Sequence, residues 1–251
     1  MSRIKLFCLP YAGGSSLIFR PWQQYINPRI ELVPVELAGR GSRIQEPGYR
    51  NSAEAVDDIF DLLKNEIDQS PYALFGHSMG CMLTYELAQK IRRKNLRLPL
   101  HLFFSGRGAP SVKRDEKKYH LMNDEQFRKE ILALGGTPPE LFEHPELMDL
   151  FIPLLKNDFR ISEEEDDKGM DKTPFDTDIT VFMGKQDDHT PEQCDGWKNH
   201  TRRLCSLHYF SGGHFFLHNQ MESITGLINT VLAENLPQRD CNKTINAKNA
   251  V

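Results

Sequence analysis

No stretch of this 251-residue chain approaches the ~18 consecutive apolar residues of a membrane-spanning helix. The first apolar run, Ile4–Leu9, stops at Pro10, shorter than the apolar region a secretory leader needs. Cysteine is scarce and odd in number: Cys8, Cys81, Cys194, Cys205 and Cys241. They form no C-x-x-C pair and no Cys/His metal spacing, so they read as reduced thiols of a cytoplasmic protein with no metal centre. A basic excess is also missing. Lys and Arg number 31 against 35 Asp and Glu, and the net charge of −4 gives nucleic acid or an anionic membrane no foothold. There is no internal repeat. What remains is a chain 39% hydrophobic and 26% charged, able to bury the core of one large α/β domain or two small ones.

Short apolar runs closed by Gly or Pro occur at Ile4–Leu9, Ile30–Val35, Tyr72–Phe75, Leu100–Ser105, Ile179–Met183 and Ser206–Phe210. Most are continuous rather than alternating, as strands covered on both faces should be. Helical patterns lie between them. Ser52 is placed to cap a helix over 53–69, with Val56, Ile59, Phe60, Leu63 and Ile67 on one face. Further helices are expected over 79–94 and 217–235. This alternation predicts an α/β fold with a mostly parallel central sheet flanked by helices, forming a single domain over 1–236. It breaks between about 108 and 176, where helical pieces (124–134 and 145–157) and no strand are read. That segment is expected to be a helical lid insertion over the sheet. Its charged run Glu163–Lys168 reads as a solvated lid edge. Residues 237–251 are polar and aperiodic and are expected to be a disordered tail.

Gly76-His77-Ser78-Met79-Gly80 lies between an expected strand and an expected helix. G-x-S-x-G in that setting is a nucleophile elbow: a sharp turn that presents the serine hydroxyl at the top of a sheet. A serine needs a base, and in this arrangement an acid and then a histidine follow it in the chain. His214, in Gly212-Gly213-His214, sits on a loop between the last strand and the last helix. His77 is held inside the elbow, where its ring should point away from the hydroxyl. His218 reads as helix surface or packing, and the remaining histidines have no such setting. The acid belongs on the loop after Ile179–Met183, where Asp187 and Asp188 both stand. Asp187 is nearer the strand end and is favoured. An oxyanion hole needs two backbone N–H groups, expected from Met79 and from Ala12 in the loop Leu9-Pro10-Tyr11-Ala12-Gly13-Gly14.

The blocks LFCLPYAGGS, VELAGRGSRIQEP, LFGHSMGCMLTYELA, FFSGRGAP, MGKQDDHTPEQCDGW and FSGGHFFL appear in that order over about residues 3–235. Together they resemble the type II thioesterases of non-ribosomal peptide and polyketide synthesis, in the α/β-hydrolase superfamily. The Gly39-Arg40-Gly41-x-Arg43 block with Glu46-Pro47 is more specific to that group than the elbow. The resemblance implies Ser78 as nucleophile, His214 as base, Asp187 as acid, and Ala12 and Met79 as oxyanion donors. It implies a monomer that edits stalled synthases and takes acyl thioesters from the phosphopantetheine arm of acyl or peptidyl carrier-protein domains. No cofactor of its own is implied, since the substrate carries the arm. Some relatives release a finished chain, and an acyl-CoA or ester hydrolase would share the triad. Tyr11 is a departure, since many relatives carry histidine before Ala-Gly-Gly.

Overall fold

The computed structural model describes residues 3–112, 117–136, 145–163 and 172–234. The six apolar runs form six strands: β1 (Ile4–Leu9), β2 (Ile30–Pro34), β3 (Tyr72–His77), β4 (Leu102–Ser105), β5 (Ile179–Gly184) and β6 (Cys205–Phe210). They lie in the order β2-β1-β3-β4-β5-β6, and every adjacent pair is parallel. Two strands run past the glycines that looked like their ends. Gly76 pairs with Phe104, and Gly184 with Phe210. Both stay in the ladder because a residue without a side chain fits where other backbone comes close.

The helices are α1 (Ser52–Gln69), α2 (Met79–Arg93), α3 (Asp124–Leu134), α4 (Pro145–Glu163), α5 (Pro191–Asp195), α6 (Phe216–Asn219) and α7 (Met221–Ala233). The pleat sends alternate strand residues to opposite faces. On one face Leu74, Phe104 and Val181 pack with Ile59 and Leu63 of α1 and Leu83 and Leu87 of α2. On the other, Ala73, Phe75 and Phe182 meet Ile224 and Ile228 of α7 and Phe19 and Trp22 of a 3-10 segment, Ser16–Gln24. A third, smaller cluster lies within the insertion. It joins Phe127 and Ile131 of α3 to Met148, Ile152 and Leu155 of α4.

Four expectations need correction. Asn51, not Ser52, caps α1, and its side-chain oxygen accepts from the Glu54 N–H at 2.8 Å. Helix α4 runs six residues beyond 157, because polar residues that looked like a helix end have tertiary partners. Asn157 donates to the Tyr49 carbonyl and Lys156 to that of Met122. The last helix is interrupted at Gln220, whose side chain donates to the Ser211 carbonyl. Glu163 is buried rather than solvated and accepts from the backbone N–H groups of Tyr119 and His120. The rest of that charged run and the 237–251 tail lie outside the described residues.

Candidate active site

The strand order reverses between β1 and β3. The chain leaves β1 toward β2 on one side and leaves β3 toward β4 on the other. In open parallel sheets such a switch opens a crevice at the carboxyl ends of the strands. All the sequence-predicted site residues lie at this edge: Ala12 after β1, Ser78 and Met79 after β3, Asp187 after β5 and His214 after β6.

Ser78 has φ 56° and ψ −114°, a backbone state that costs on the order of 1–3 kcal/mol in a non-glycine residue. The flanking glycines let neighbouring backbone come close enough to hold it there. A Cβ on Gly76 would lie 2.1 Å from the Gly80 carbonyl oxygen, and one on Gly80 would lie 2.2 Å from that of Leu9. The strain aims Ser78 Oγ out of the turn at the start of α2, where the helix dipole favours negative charge. Ser78 Oγ lies 2.9 Å from His214 Nε2, and His214 Nδ1–H donates to Asp187 Oδ2 at 2.9 Å.

Asp187 is the better placed of the two carboxylates. Asp188 instead donates its backbone N–H to Asp187 Oδ1 at 2.9 Å. Sequence reasoning gave His189 no role, yet its Nε2 lies 3.1 Å from the same Asp187 Oδ2. Burial pushes the Asp187 carboxyl up, but the two imidazoles of His189 and His214 beside it outweigh that and hold the group well below the usual carboxylate range. The Asp-Asp-His tripeptide was the only signal for His189, and nothing in it shows that the third side chain turns back to the first. The ligand atoms of Asp187, His189 and His214 lie within 4.8 Å of one another, so these three could also hold a cation. In this structure His214 hydrogen-bonds to Asp187, while His189 Nε2 lies near the same oxygen without the alignment of a hydrogen bond.

His77 is buried, and its Nδ1 lies 2.8 Å from Ser105 Oγ, away from the serine hydroxyl as expected. Burial, then the neighbouring His214, lower its pKa well below the ordinary value, so it sits neutral. His218 is half-buried rather than on the surface, with Nε2 3.0 Å from the Tyr11 hydroxyl. Burial pushes the Tyr11 phenol up to about 12 and lowers the His218 imidazole. Tyr11 therefore meets His218 as a neutral pair where the ring of Phe215 also packs, 4.9 Å from the Tyr11 ring. Ala12 lines the cavity beside Ser78, and Met79 is buried in the first turn of α2. Neither backbone N–H has an acceptor among the described residues.

The cavity has a volume of about 1000 Å³. Ser78 and His214 lie on its wall, and Ile131, Leu134, Phe151, Leu155 and Phe159 of α3 and α4 give it an apolar side. A hydroxyl joined to an imidazole and a carboxylate beside such a cavity can attack a carbonyl that carries an apolar chain.

Residues 4–232, the span that holds all these groups, match the family model described as Thioesterase domain. The chain belongs to the thioesterase domain family. This thioesterase is 36% identical over 218 residues to the gramicidin S biosynthesis protein GrsT of Aneurinibacillus migulanus, covering 86% of this chain and 84% of that one. It is 36% identical over 215 residues to the medium-chain S-acyl fatty acid synthase thioesterase of Rattus norvegicus, covering 85% and 81%. The crystal structure of ClbQ from the colibactin NRPS/PKS pathway matches it with a TM-score of 0.87 at 34% identity, over 93% of this chain and 98% of that one. The resemblance read from the ordered sequence blocks agrees with these findings. The thioesterase is a hydrolase of thioester bonds on an α/β-hydrolase fold.

Proposed function

We propose that this thioesterase removes acyl or aminoacyl groups from the phosphopantetheine arms of carrier-protein domains and so clears stalled non-ribosomal peptide or polyketide synthases. The observation that carries the reading is the hydrogen-bonded line Ser78–His214–Asp187 on the wall of a cavity with an apolar side. The similarity to GrsT, a gramicidin S biosynthesis protein, supports the synthase context.

On this reading Ser78 Oγ attacks the thioester carbonyl as its proton passes to His214 Nε2. Asp187 fixes the imidazole tautomer and stabilises the imidazolium. The Ala12 and Met79 N–H groups hold the tetrahedral oxyanion. Collapse expels the pantetheine sulfur, which takes up the proton. Water, activated by His214, then releases the acyl group from Ser78. The enzyme brings no cofactor to this sequence, because the arm arrives with the carrier.

Ser78→Ala is expected to abolish hydrolysis and fluorophosphonate labelling while the protein stays folded by circular dichroism. Substantial residual turnover would remove Ser78 from the mechanism. The substrate claim is tested by kcat/KM for acetyl, hexanoyl, decanoyl and aminoacyl groups, each on a carrier protein, on CoA and on a short pantetheine mimic. Editing requires a strong carrier preference with broad acyl tolerance. The similarity to a medium-chain fatty acid synthase thioesterase favours a second reading, release of a finished medium-length chain. A sharp optimum at one chain length would select it.

A further inference from the structure

The Gly39-Arg40-Gly41-x-Arg43 block takes no part in the chemistry above, yet Arg40 is 4% exposed and Asp158, on α4, only 1%. We propose that Arg40 and Asp158 are positioning residues that aim the Ala12 N–H and make the oxyanion hole depend on α4 being docked. This rests on the reading of Ser78 as nucleophile and Ala12 as oxyanion donor.

The contacts converge on the loop after β1. Arg40 Nη1 donates to Asp158 Oδ2 at 2.6 Å, and Nη2 to Oδ1 at 2.8 Å. Asp158 Oδ2 also accepts the Gly13 N–H at 2.7 Å, one residue beyond Ala12. Arg40 Nη1 reaches the Gly14 carbonyl at 3.2 Å, and the Gly14 N–H closes the turn onto the Tyr11 carbonyl at 2.9 Å. Ala12 is thus enclosed in a turn whose next two residues are both held by one buried ion pair, Gly13 through its N–H and Gly14 through its carbonyl. The packing repeats the link. Gly13 has φ +75°, and a Cβ there would lie 2.7 Å from Leu155 Cδ1 and 3.0 Å from Phe151 Cζ, both on α4.

Burying two charges is a poor route to stability alone, since apolar residues of similar volume often do as well or better. What the pair adds is direction: a planar, two-pronged donor set whose acceptor also grips the loop. Arg43 offers the contrast. It lies in the same block but pairs with Asp58 at 2.8 Å and with Glu46, donates to the Glu36 carbonyl, and has no hydrogen bond to Ala12, Gly13 or Gly14 among the described residues. If α4 lifts, Asp158 leaves with it and the Gly13 N–H loses its acceptor. The oxyanion hole is then complete only when α4 is seated.

The deciding variant is the charge-free double substitution Arg40→Met/Asp158→Leu, with Arg43→Ala as control. Active sites are titrated with a fluorophosphonate, and kcat, KM and Tm are measured on an acyl-pantetheine mimic. Affinities are measured for a trifluoromethyl ketone, which forms an oxyanion, and for a thioether, which does not. The double variant should keep Tm, KM and thioether affinity. Its kcat per titrated site and its trifluoromethyl ketone affinity should fall together, by about 10- to 100-fold, the range a ~1 Å misplacement produces. Arg43→Ala should leave kcat per site unchanged. A folded double variant with kcat within about 3-fold of the parent and unchanged ketone affinity overturns the inference alone. A parent enzyme that does not label at Ser78 overturns the site reading and this inference with it. Asp158→Ala, which removes the acceptor of the Gly13 N–H, carries the same comparison if the double variant does not fold. It should lose kcat and ketone affinity in parallel, and normal values for both would overturn the inference.

Discussion

Asp187 faces two imidazoles, His214 at 2.9 Å and His189 at 3.1 Å, through one carboxylate oxygen. Its neighbour Asp188 faces neither of them. Asp187→Asn should therefore lose on the order of 10³- to 10⁴-fold in kcat, as expected when the base is left in the wrong tautomer. Asp188→Asn should lose far less, and steady-state kinetics of the two variants separates them. Because the folded Asp187 carboxyl is held below its ordinary value, it contributes stability above the unfolded carboxylate pKa of ~3.9, and that contribution is lost as pH falls toward the folded value. The Tm advantage of the parent over Asp187→Asn should be full at neutral pH and shrink below about pH 4. Ser78, His214 and Asp187 were legible because each sits in a local pattern: a glycine-flanked serine, a Gly-Gly-His loop, a strand end. Asp158 and His189 were not legible. Nothing near Asp158 in the chain shows that its partner is Arg40, 118 residues away.

Among the elements, the strands were the most legible, because each is a short apolar run ended by a breaker, and the four inner ones are buried on both sides. Helix starts were less so. Asn51 and Ser52 are both good caps, and only the backbone decides which side chain reaches an N–H. Asn51→Ala should cost about 0.5–2 kcal/mol in denaturant unfolding with no change in kcat. Ser52→Ala should stay within about 0.5 kcal/mol of the parent. The end of α4 was misread because Lys156, Asn157 and Asp158 look solvated in the sequence. Their partners on Met122, Tyr49 and Arg40 come from remote parts of the chain.

Across the whole molecule the two large clusters belong to the sheet, and the small third one belongs to α3 and α4. A smaller apolar cluster opens at lower free energy than the core it sits on. Hydrogen exchange at rising guanidinium concentration should expose the amides of α3 and α4 before those of β3, β4 and β5. Simultaneous exposure would mean that the insertion and the sheet unfold as one unit. The presence of a helical insertion was readable from the missing strand signal over 108–176. Its contacts with the loop after β1 were not, because they depend on how α4 sits over the sheet.

The groups proposed for catalysis come from four strand ends, and the last, His214, follows the final strand of the sheet. It lies 136 residues beyond Ser78. At roughly 5–20 residues per second, a ribosome needs about 7–30 s to add that stretch. During that interval the growing chain carries the proposed nucleophile without the proposed base. If the proposed roles hold, a nascent or truncated copy that lacks His214 should not hydrolyse thioesters, and activity should begin only once the last strand has joined the sheet.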